Sequence, residues 1–446
     1  MRRALFRSGV LGLGAALGLW LWRARRQEAA APPLASQPRV VIVGAGFGGL
    51  TAARALVGAP ASVLILDQNN YHLFIPLLYQ VATASLEPEE IAQPVRGIIK
   101  GLANLRFQMA RVTGVDLERR QVLTETGAIP YDYLILATGS ATNFYGLEHL
   151  RPRVQGLKDL PKAVRLRNHI LKMFERAVTE PDRERQAALL TFVIVGGGPT
   201  GVEFAGALAE LIRLVLVHDY PGLDFGLVRI ILVEAGSALL GGFPPPLQQA
   251  AAQALREKGV EVWLNAPVES YEDHLVRLRD GRTIPAHTLV WAAGVQASDL
   301  AVHLGLPTGR AGRIMVTDCL HLPGRPEVYV VGDSAYVEQD GRPLPMVIPV
   351  AMQQGAHAAR NIRRQLRGLD PLPFRYHDKG AMVTIGRHAA VAHIYGLSFT
   401  GFPAWLVWLV FHLLQIISLR NRLLVLINWA WDYFFFERGV RLITAR

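Results

Sequence analysis

Two glycine-rich turns of one form govern what this chain can fold into. Each stands between a short apolar strand and an Ala-rich stretch. The first is Val40-Val41-Ile42-Val43-Gly44-Ala45-Gly46-Phe47-Gly48-Gly49, the second Phe192-Val193-Ile194-Val195-Gly196-Gly197-Gly198-Pro199-Thr200-Gly201. Gly44, Gly46 and Gly49 fit G-x-G-x-x-G, as do Gly196, Gly198 and Gly201. In a strand-turn-helix unit the first glycine makes a tight turn, the second lets the backbone approach a pyrophosphate, and the third lets helix pack closely on strand. After each turn a further apolar strand ends in an acid, Ala61–Leu66 in Asp67 and Val228–Val233 in Glu234. An acid placed about 20 residues beyond such a turn, as Asp67 is, can hydrogen-bond an adenosine ribose, and Glu234 repeats the arrangement after a longer helix and loop. The repeated pattern predicts an α/β fold with two Rossmann-like units and two dinucleotides. A carboxylate at Glu234 repels a 2′-phosphate, so NADH is expected over NADPH.

A chain of 446 residues has room for two or three domains. Apolar residues make up 51% and charged residues only 19%, which predicts that some apolar surface meets lipid. The formal charge of +11 suits either nucleic acid or an anionic membrane. No basic run is interleaved with aromatics, and the apolar segments favour the membrane, so no nucleic-acid partner is expected. The single cysteine, Cys319, excludes chemistry that needs a redox-active cysteine pair, and is expected to be a small buried apolar residue. No motif calls for a metal.

Residues 1–38 read as a hydrophobic anchor or targeting segment followed by an Ala- and Pro-rich linker. Arg2, Arg3 and Arg7 precede an apolar run from Ser8 to Trp22, and Arg23, Arg25 and Arg26 follow it. The run is shorter than the ~20 residues a spanning helix needs. A retained anchor, a cleaved export or mitochondrial signal, and an interfacial segment all stay open. Residues 39–146 read as the first part of one nucleotide domain, closing with Tyr133 to Gly139. Residues 147–296 form a helical connection and the second nucleotide domain, 297–370 return to the first domain, and 371–446 form a membrane-association or dimer region. There Phe402–Leu419 and Leu423–Phe436 are apolar runs interrupted at Arg420, Asn421 and Arg422, with Asn428 and Asp432 on one helical face. Each is too short to span a bilayer, and amphipathic helices lying in the interface are expected, or an apolar dimer interface.

Four stretches in order give the chain a resemblance to the type II NADH dehydrogenases, single-chain peripheral NADH:quinone oxidoreductases. They are Asn69–Ala82, Gly198–Gly206, Lys379–Arg387 and Asn421–Trp429. The resemblance implies two Rossmann-like dinucleotide-binding domains, for FAD and NADH, the second inserted in the first, with C-terminal amphipathic membrane-associating helices. It implies non-covalent FAD at Gly44, Gly46, Gly49 and Asp67, with Ala137, Thr138 and Gly139 near the adenylate, Asp333 at the ribityl chain, and Ala351 in the same site. It implies NADH at Gly196, Gly198, Gly201, Glu234 and Gly294. Glu203 falls where the family places a carboxylate near flavin and nicotinamide, and Lys379 where it places a lysine close to that carboxylate. Lys379 reads equally as an ordinary surface lysine.

The resemblance further implies a membrane quinone as acceptor, a bilayer surface and a homodimer as partners, and catalytic domains facing the cytoplasm or an organelle matrix. One departure bears on the acceptor. In Ile348-Pro349-Val350-Ala351-Met352-Gln353-Gln354-Gly355, the residues Gln353 and Gln354 match the family's quinone segment, but Pro349 replaces its first glutamine. Proline lacks both the N–H and the amide side chain, so a contact there is lost or rerouted. A reductase of a specialised quinone or other acceptor, and an NADH-sensing flavoprotein similar to apoptosis-inducing factor, are therefore the competing readings.

Overall fold

A computed structural model describes residues 37–435 and 438–444. The expected N-terminal anchor or signal, at residues 1–36, lies outside the described residues.

Two parallel sheets form the body, each covered by helices on one face and by a small three-stranded antiparallel sheet on the other, residues 112–130 for the first and 268–285 for the second. In the first, β1 (Arg39–Val43) pairs in parallel with β2 (Ser62–Asp67), and β2 with β3 (Leu105–Met109). On its other side β1 pairs with β4 (Tyr133–Leu136), in register Val41 to Leu134. Helix α1 (Phe47–Ala55) follows the first glycine turn. The chain then leaves this sheet, crosses α2 (Leu160–Thr179), and builds the second. There β5 (Thr191–Val195) leads through the second glycine turn into α3 (Pro199–Leu211). It pairs in parallel with β6 (Arg229–Val233), and β6 with β7 (Val260–Trp263). On the far side β5 pairs with β8 (Thr288–Trp291). The chain returns to the first sheet as β9 (Arg325–Val330), parallel to β4. The β-branched runs Val40–Val43 and Phe192–Val195 are buried throughout, as strands covered on both faces require. Where the chain passes between sheets, Ser140–Thr142 and Val295–Ala297 form an antiparallel pair.

Helix α4 (Ile348–Gln365) lies against α1, so close that a Cβ on Gly355 would fall on Gly48 O. A three-stranded antiparallel sheet follows: β10 (Gly380–Gly386), β11 (Ala389–Ile394) and β12 (Leu397–Thr400). Strand β10 packs on α3, where a Cβ on Gly206 would fall on Ile385 O.

Helices α5 (Gly401–Gln415) and α6 (Leu419–Phe435) close the chain. The break between the two helices falls at residues 416–418, a few residues ahead of the polar interruption at Arg420–Arg422, which lies in the first turn of α6. There the Asn421 side chain turns inward, and its Nδ2 donates to Glu89 O and Glu90 O, 3.0 Å each. Both helices are amphipathic in an inverted sense. On α6 the inner face carries Asn421, Val425 and Asn428, while Leu423, Leu426, Ile427, Trp431 and Phe434 are exposed. On α5 the buried stripe is Ala404, Trp408 and His412, and Phe402, Leu406, Val410 and Leu414 face outward. Among the described residues no helix is long and apolar enough to cross a membrane. Trp408 and Val425 share a core with Phe192, Phe204 and Val383, so the helix pair is continuous with the second unit. Cys319 is free and half-buried, not the buried residue expected, and its carbonyl accepts from Asn361 Nδ2.

Candidate functional site

The two glycine turns repeat one geometry. Gly44 has φ +107° and Gly196 φ +110°, a region costly for any residue with a Cβ. A Cβ on Gly49 would fall on Gly44 O, and one on Gly201 on Gly196 O. Helix and strand therefore meet only because both third glycines are bare. At Gly46 and Gly198, in contrast, a Cβ would meet nothing within 4 Å. Each second glycine thus fronts open space at a helix start, where unpaired main-chain N–H groups point outward. Such a cradle fits the pyrophosphate of a dinucleotide.

The strand-end acids also match. Asp67 Oδ2 accepts from Ala45 N at 2.7 Å and Oδ1 from Asn69 N at 2.8 Å. Glu234 Oε2 accepts from Gly197 N and Oε1 from Gly236 N, both at 2.6 Å. Each acid thereby pins the residue after the first glycine, and each oxygen keeps a lone pair for a ribose hydroxyl. Burial raises the Asp67 pKa against the pull of its main-chain donors. Beneath the first turn, buried His72 donates from Nδ1 to Ala45 O at 3.0 Å. Nothing in the glycine spacing marked His72; it stood inside the Asn69–Ala82 stretch without a role.

Hydroxyls line the gap between the sheets. Ser298 Oγ donates to Thr138 Oγ1 (2.8 Å), Thr138 is 2.7 Å from Ser334 Oγ, and Ser334 Oγ donates to Gly139 O (3.1 Å). Ala137 N donates to Val43 O at 2.8 Å, which sets that strand end beside the first turn. Asp333 Oδ2 accepts from Ser140 Oγ at 2.5 Å, and Lys158 Nζ donates to the same hydroxyl at 2.7 Å. Burial lowers the Lys158 pKa, partly offset by the Asp333 charge. Ser140 and Lys158 were missed, since neither belongs to a spaced motif. Ala351 lies where the turns converge: a Cβ on Gly332 would meet its Cβ at 3.1 Å, and one on Gly48 its carbonyl oxygen at 3.3 Å. Gly294, at φ +75°, has the Tyr145 hydroxyl packed over its Cα.

Glu203 sits on α3, two residues past Gly201, with its carboxyl deep among protein atoms though part of the residue stays accessible. Burial pushes its pKa up to about 8, opposed by the Thr384 main-chain donor and the Trp408 indole. The expected Lys379 partner is not there. Lys379 is exposed at the head of β10, and no ion pair links it to Glu203 among the described residues. An ammonium keeps its hydration at the surface and would lose it beside a buried carboxyl. Gln353 makes main-chain contacts of its own. Its Nε2 donates to His377 O (2.9 Å) and its Oε1 accepts from His377 N (3.0 Å), so its amide clamps a loop. The buried glutamine is Gln354, whose Oε1 accepts from Gly332 N at 2.6 Å. Pro349 stands in the first turn of α4, where an N–H has no intrahelical acceptor. The substitution costs the helix nothing and removes only a side-chain amide.

With this geometry in place the relatives can be set beside it. Residues 38–355 match the pyridine nucleotide-disulphide oxidoreductase family and residues 378–438 the NDH2 C-terminal domain. A type II NADH:quinone oxidoreductase of Mycobacterium tuberculosis is 39% identical, covering 94% of this chain and 93% of its own. One from Staphylococcus haemolyticus is 30% identical, covering 81% and 91%. The structure of NDH2 from Plasmodium falciparum in complex with NADH shares the fold at TM-score 0.82 and 18% identity, covering 92% of this chain and 100% of that one. The sulfide:quinone oxidoreductase of Aquifex aeolicus follows less closely, at TM-score 0.68 and 19% identity over 89% and 95%. The chain belongs to the type II NADH:quinone oxidoreductase family.

Proposed function

We propose that this protein oxidises NADH through non-covalently bound FAD and reduces a quinone at a membrane surface, without pumping protons. The observation that carries the reading is the convergence on Glu203 of three parts of the chain: the second glycine turn, β10 through Thr384, and α5 through Trp408. Bound FAD would supply the two-electron relay between NADH and the quinone. The cradle of Gly44, Gly46 and Gly49 with Asp67 holds its adenylate half, supported by Ala137, Thr138 and Gly139, while Asp333 and Ala351 line the way to the flavin. Gly196, Gly198, Gly201, Glu234 and Gly294 hold NADH, and Glu234 disfavours a 2′-phosphate.

A quinone takes up two electrons and two protons, and a hydride accounts for one of those protons. Glu203, protonated below about 8, supplies the other to a quinone oxygen and is recharged from water. The outward apolar faces of α5 and α6 support seating on a lipid surface, with catalytic units on the NADH-containing cytoplasmic or matrix side. A homodimer through the same C-terminal region belongs to this reading as well. One observation favours a second: Pro349 leaves the head of α4 without a side-chain amide, which suits a specialised quinone.

Anaerobic stopped-flow tests the proposal. NADH should bleach the flavin, and short-chain ubiquinone or menaquinone should restore it within the turnover time. A flavin that reduces and stays reduced with both quinones would overturn the quinone assignment and favour a sensor or another acceptor.

A further inference from the structure

We infer that Trp408 is a positioning residue for the Glu203 carboxyl, through which the seating of α5 sets how readily that carboxyl releases its proton. The inference rests on the reading of Glu203 above. Trp408 is 1% exposed, and its Nε1–H is shut off from water without a formed hydrogen bond. Trp408 packs in one core with Val202, Phe204 and Val383, the chain neighbours of Glu203 and Thr384, and the Glu203 carboxyl is the acid on which its indole acts. An orphaned buried donor is costly and rare in folded proteins. A carboxylate relieves that cost better than a carboxylic acid, because a hydrogen bond to an ionised acceptor is shorter and stronger. The indole donor is therefore underused while Glu203 keeps its proton and engaged once the proton is gone.

The ring cannot swing away to find another partner. His412 stacks on it at 4.1 Å and donates from Nδ1 to Trp408 O at 2.8 Å, one turn along α5. Burial pulls the His412 pKa down to about 4, so this neighbour is neutral. Tyr79 and Trp429 pack on the remaining sides at 6.5 and 5.9 Å. Trp429 spends its own Nε1–H on Gln80 Oε1, 2.8 Å away. The opposite side of the same short helix is the apolar face of Leu406, Val410 and Leu414. Anything that moves this face moves the indole N–H with it.

The other charged or titratable groups near Glu203 are either neutral or paired elsewhere. Tyr79 faces it from the Leu78–Ala82 helix, and burial holds that phenol well above its usual range. Glu210, two turns further along α3, is engaged by Lys258, Arg438 and Arg387 N. Asp432 of α6 lies with Arg438. From β10 the contact is the uncharged Thr384 main chain.

The test uses the full-length flavoprotein on vesicles of anionic and zwitterionic lipid. Infrared difference titration follows the protonated carboxyl band, assigned as the band lost in E203Q, and quinone turnover is measured over the same pH range. In W408F, which keeps an aromatic ring and loses the donor, the band midpoint and the alkaline limb of turnover should both rise by about one pH unit. W408Q, which restores a donor, should bring both back toward wild type. It also serves as the informative variant if W408F does not fold, its midpoint then staying near wild type while W408L moves up. A midpoint unmoved in the donor-less variants overturns the inference. Should the midpoint move while E203Q retains full quinone turnover, the coupling stands and the proton role proposed for Glu203 fails instead.

Discussion

The Arg438 guanidinium lies 3.7 Å from the Glu210 carboxylate, and both residues are almost closed to solvent. Arg438 also donates from Nη1 to Thr83 O at 2.8 Å and Ala207 O at 3.2 Å. One side chain near the C-terminus thus ties the Tyr79–Thr83 segment to α3. Glu210 is further held by Lys258 at 2.7 Å and by Arg387 N at 2.6 Å. Replacing Arg438 with Met removes one cation and its hydrogen bonds to Thr83 O and Ala207 O, while Lys258 still neutralises Glu210. The expected cost is about 3 kcal/mol, the low end for a broken buried pair. It should appear as a lower unfolding temperature and faster proteolytic release of α5 and α6, with flavin reduction by NADH retained.

Glu203 and Lys379 separate in their expected effects because only one of them is buried. Glu203→Gln removes the proton donor, and quinone turnover should fall by about 10²-fold with FAD retained. In the wild type, the raised pKa means the proton-bearing form prevails below about 8, so turnover declines as pH rises through that value. That limb should vanish in Glu203→Gln. Lys379→Met should change turnover less than twofold and leave the limb in place, read in the same pH series. A large loss on Lys379→Met would show that substrate binding draws the exposed lysine inward.

Much of the body could be read from the chain because its signals are local. Glycine spacing, β-branched runs and strand-end acids act within one strand-turn-helix unit, and both units fold as that pattern predicts. The hydrogen bonds of Asp67 to Ala45 and Glu234 to Gly197 are the kind of relationship such spacing encodes. What stayed hidden is what long-range packing decides. Lys379 follows a family position, yet its burial depends on how β10 meets α3. Gln353 and Gln354 are adjacent, and only the rotation of α4 shows which one faces inward. Ser140 meets Asp333 across 193 positions of chain, where periodicity carries no information. The helix break falls a few residues ahead of Arg420–Arg422, and Asn421 beyond it finds buried carbonyls that no hydropathy pattern reveals.

At the second turn, Glu234 has two jobs that a substitution should uncouple. Its charge disfavours a 2′-phosphate, and both of its oxygens accept main-chain N–H groups at 2.6 Å. Glu234→Gln keeps one acceptor and turns an amide N–H₂ toward a main-chain donor. The ratio of kcat/KM for NADPH over NADH should rise about tenfold, a difference of about 1.4 kcal/mol. KM for NADH should rise as well, because the loosened Gly197 no longer holds the cradle. Steady-state kinetics with both nucleotides checks the two effects, and an unchanged nucleotide ratio would remove Glu234 from the ribose site.

The glycines of the first turn offer the sharpest contrast between folding and binding. A Cβ on Gly49 would fall on Gly44 O, main-chain against main-chain, with no flexible side chain to give way. Gly49→Ala should therefore force α1 off β1 and yield protein that is unstable or insoluble, as overpacking against a rigid neighbour costs about 1–3 kcal/mol or more. A Cβ on Gly46 meets nothing within 4 Å, so Gly46→Ala leaves the protein's own packing intact. What it fills is the space that the pyrophosphate of FAD would enter. Purified Gly46→Ala protein should show the wild-type circular dichroism spectrum and carry much less flavin, measured as absorbance per chain. If it retained FAD at full occupancy, the first cradle would not be where the pyrophosphate rests, however well the glycine spacing fits.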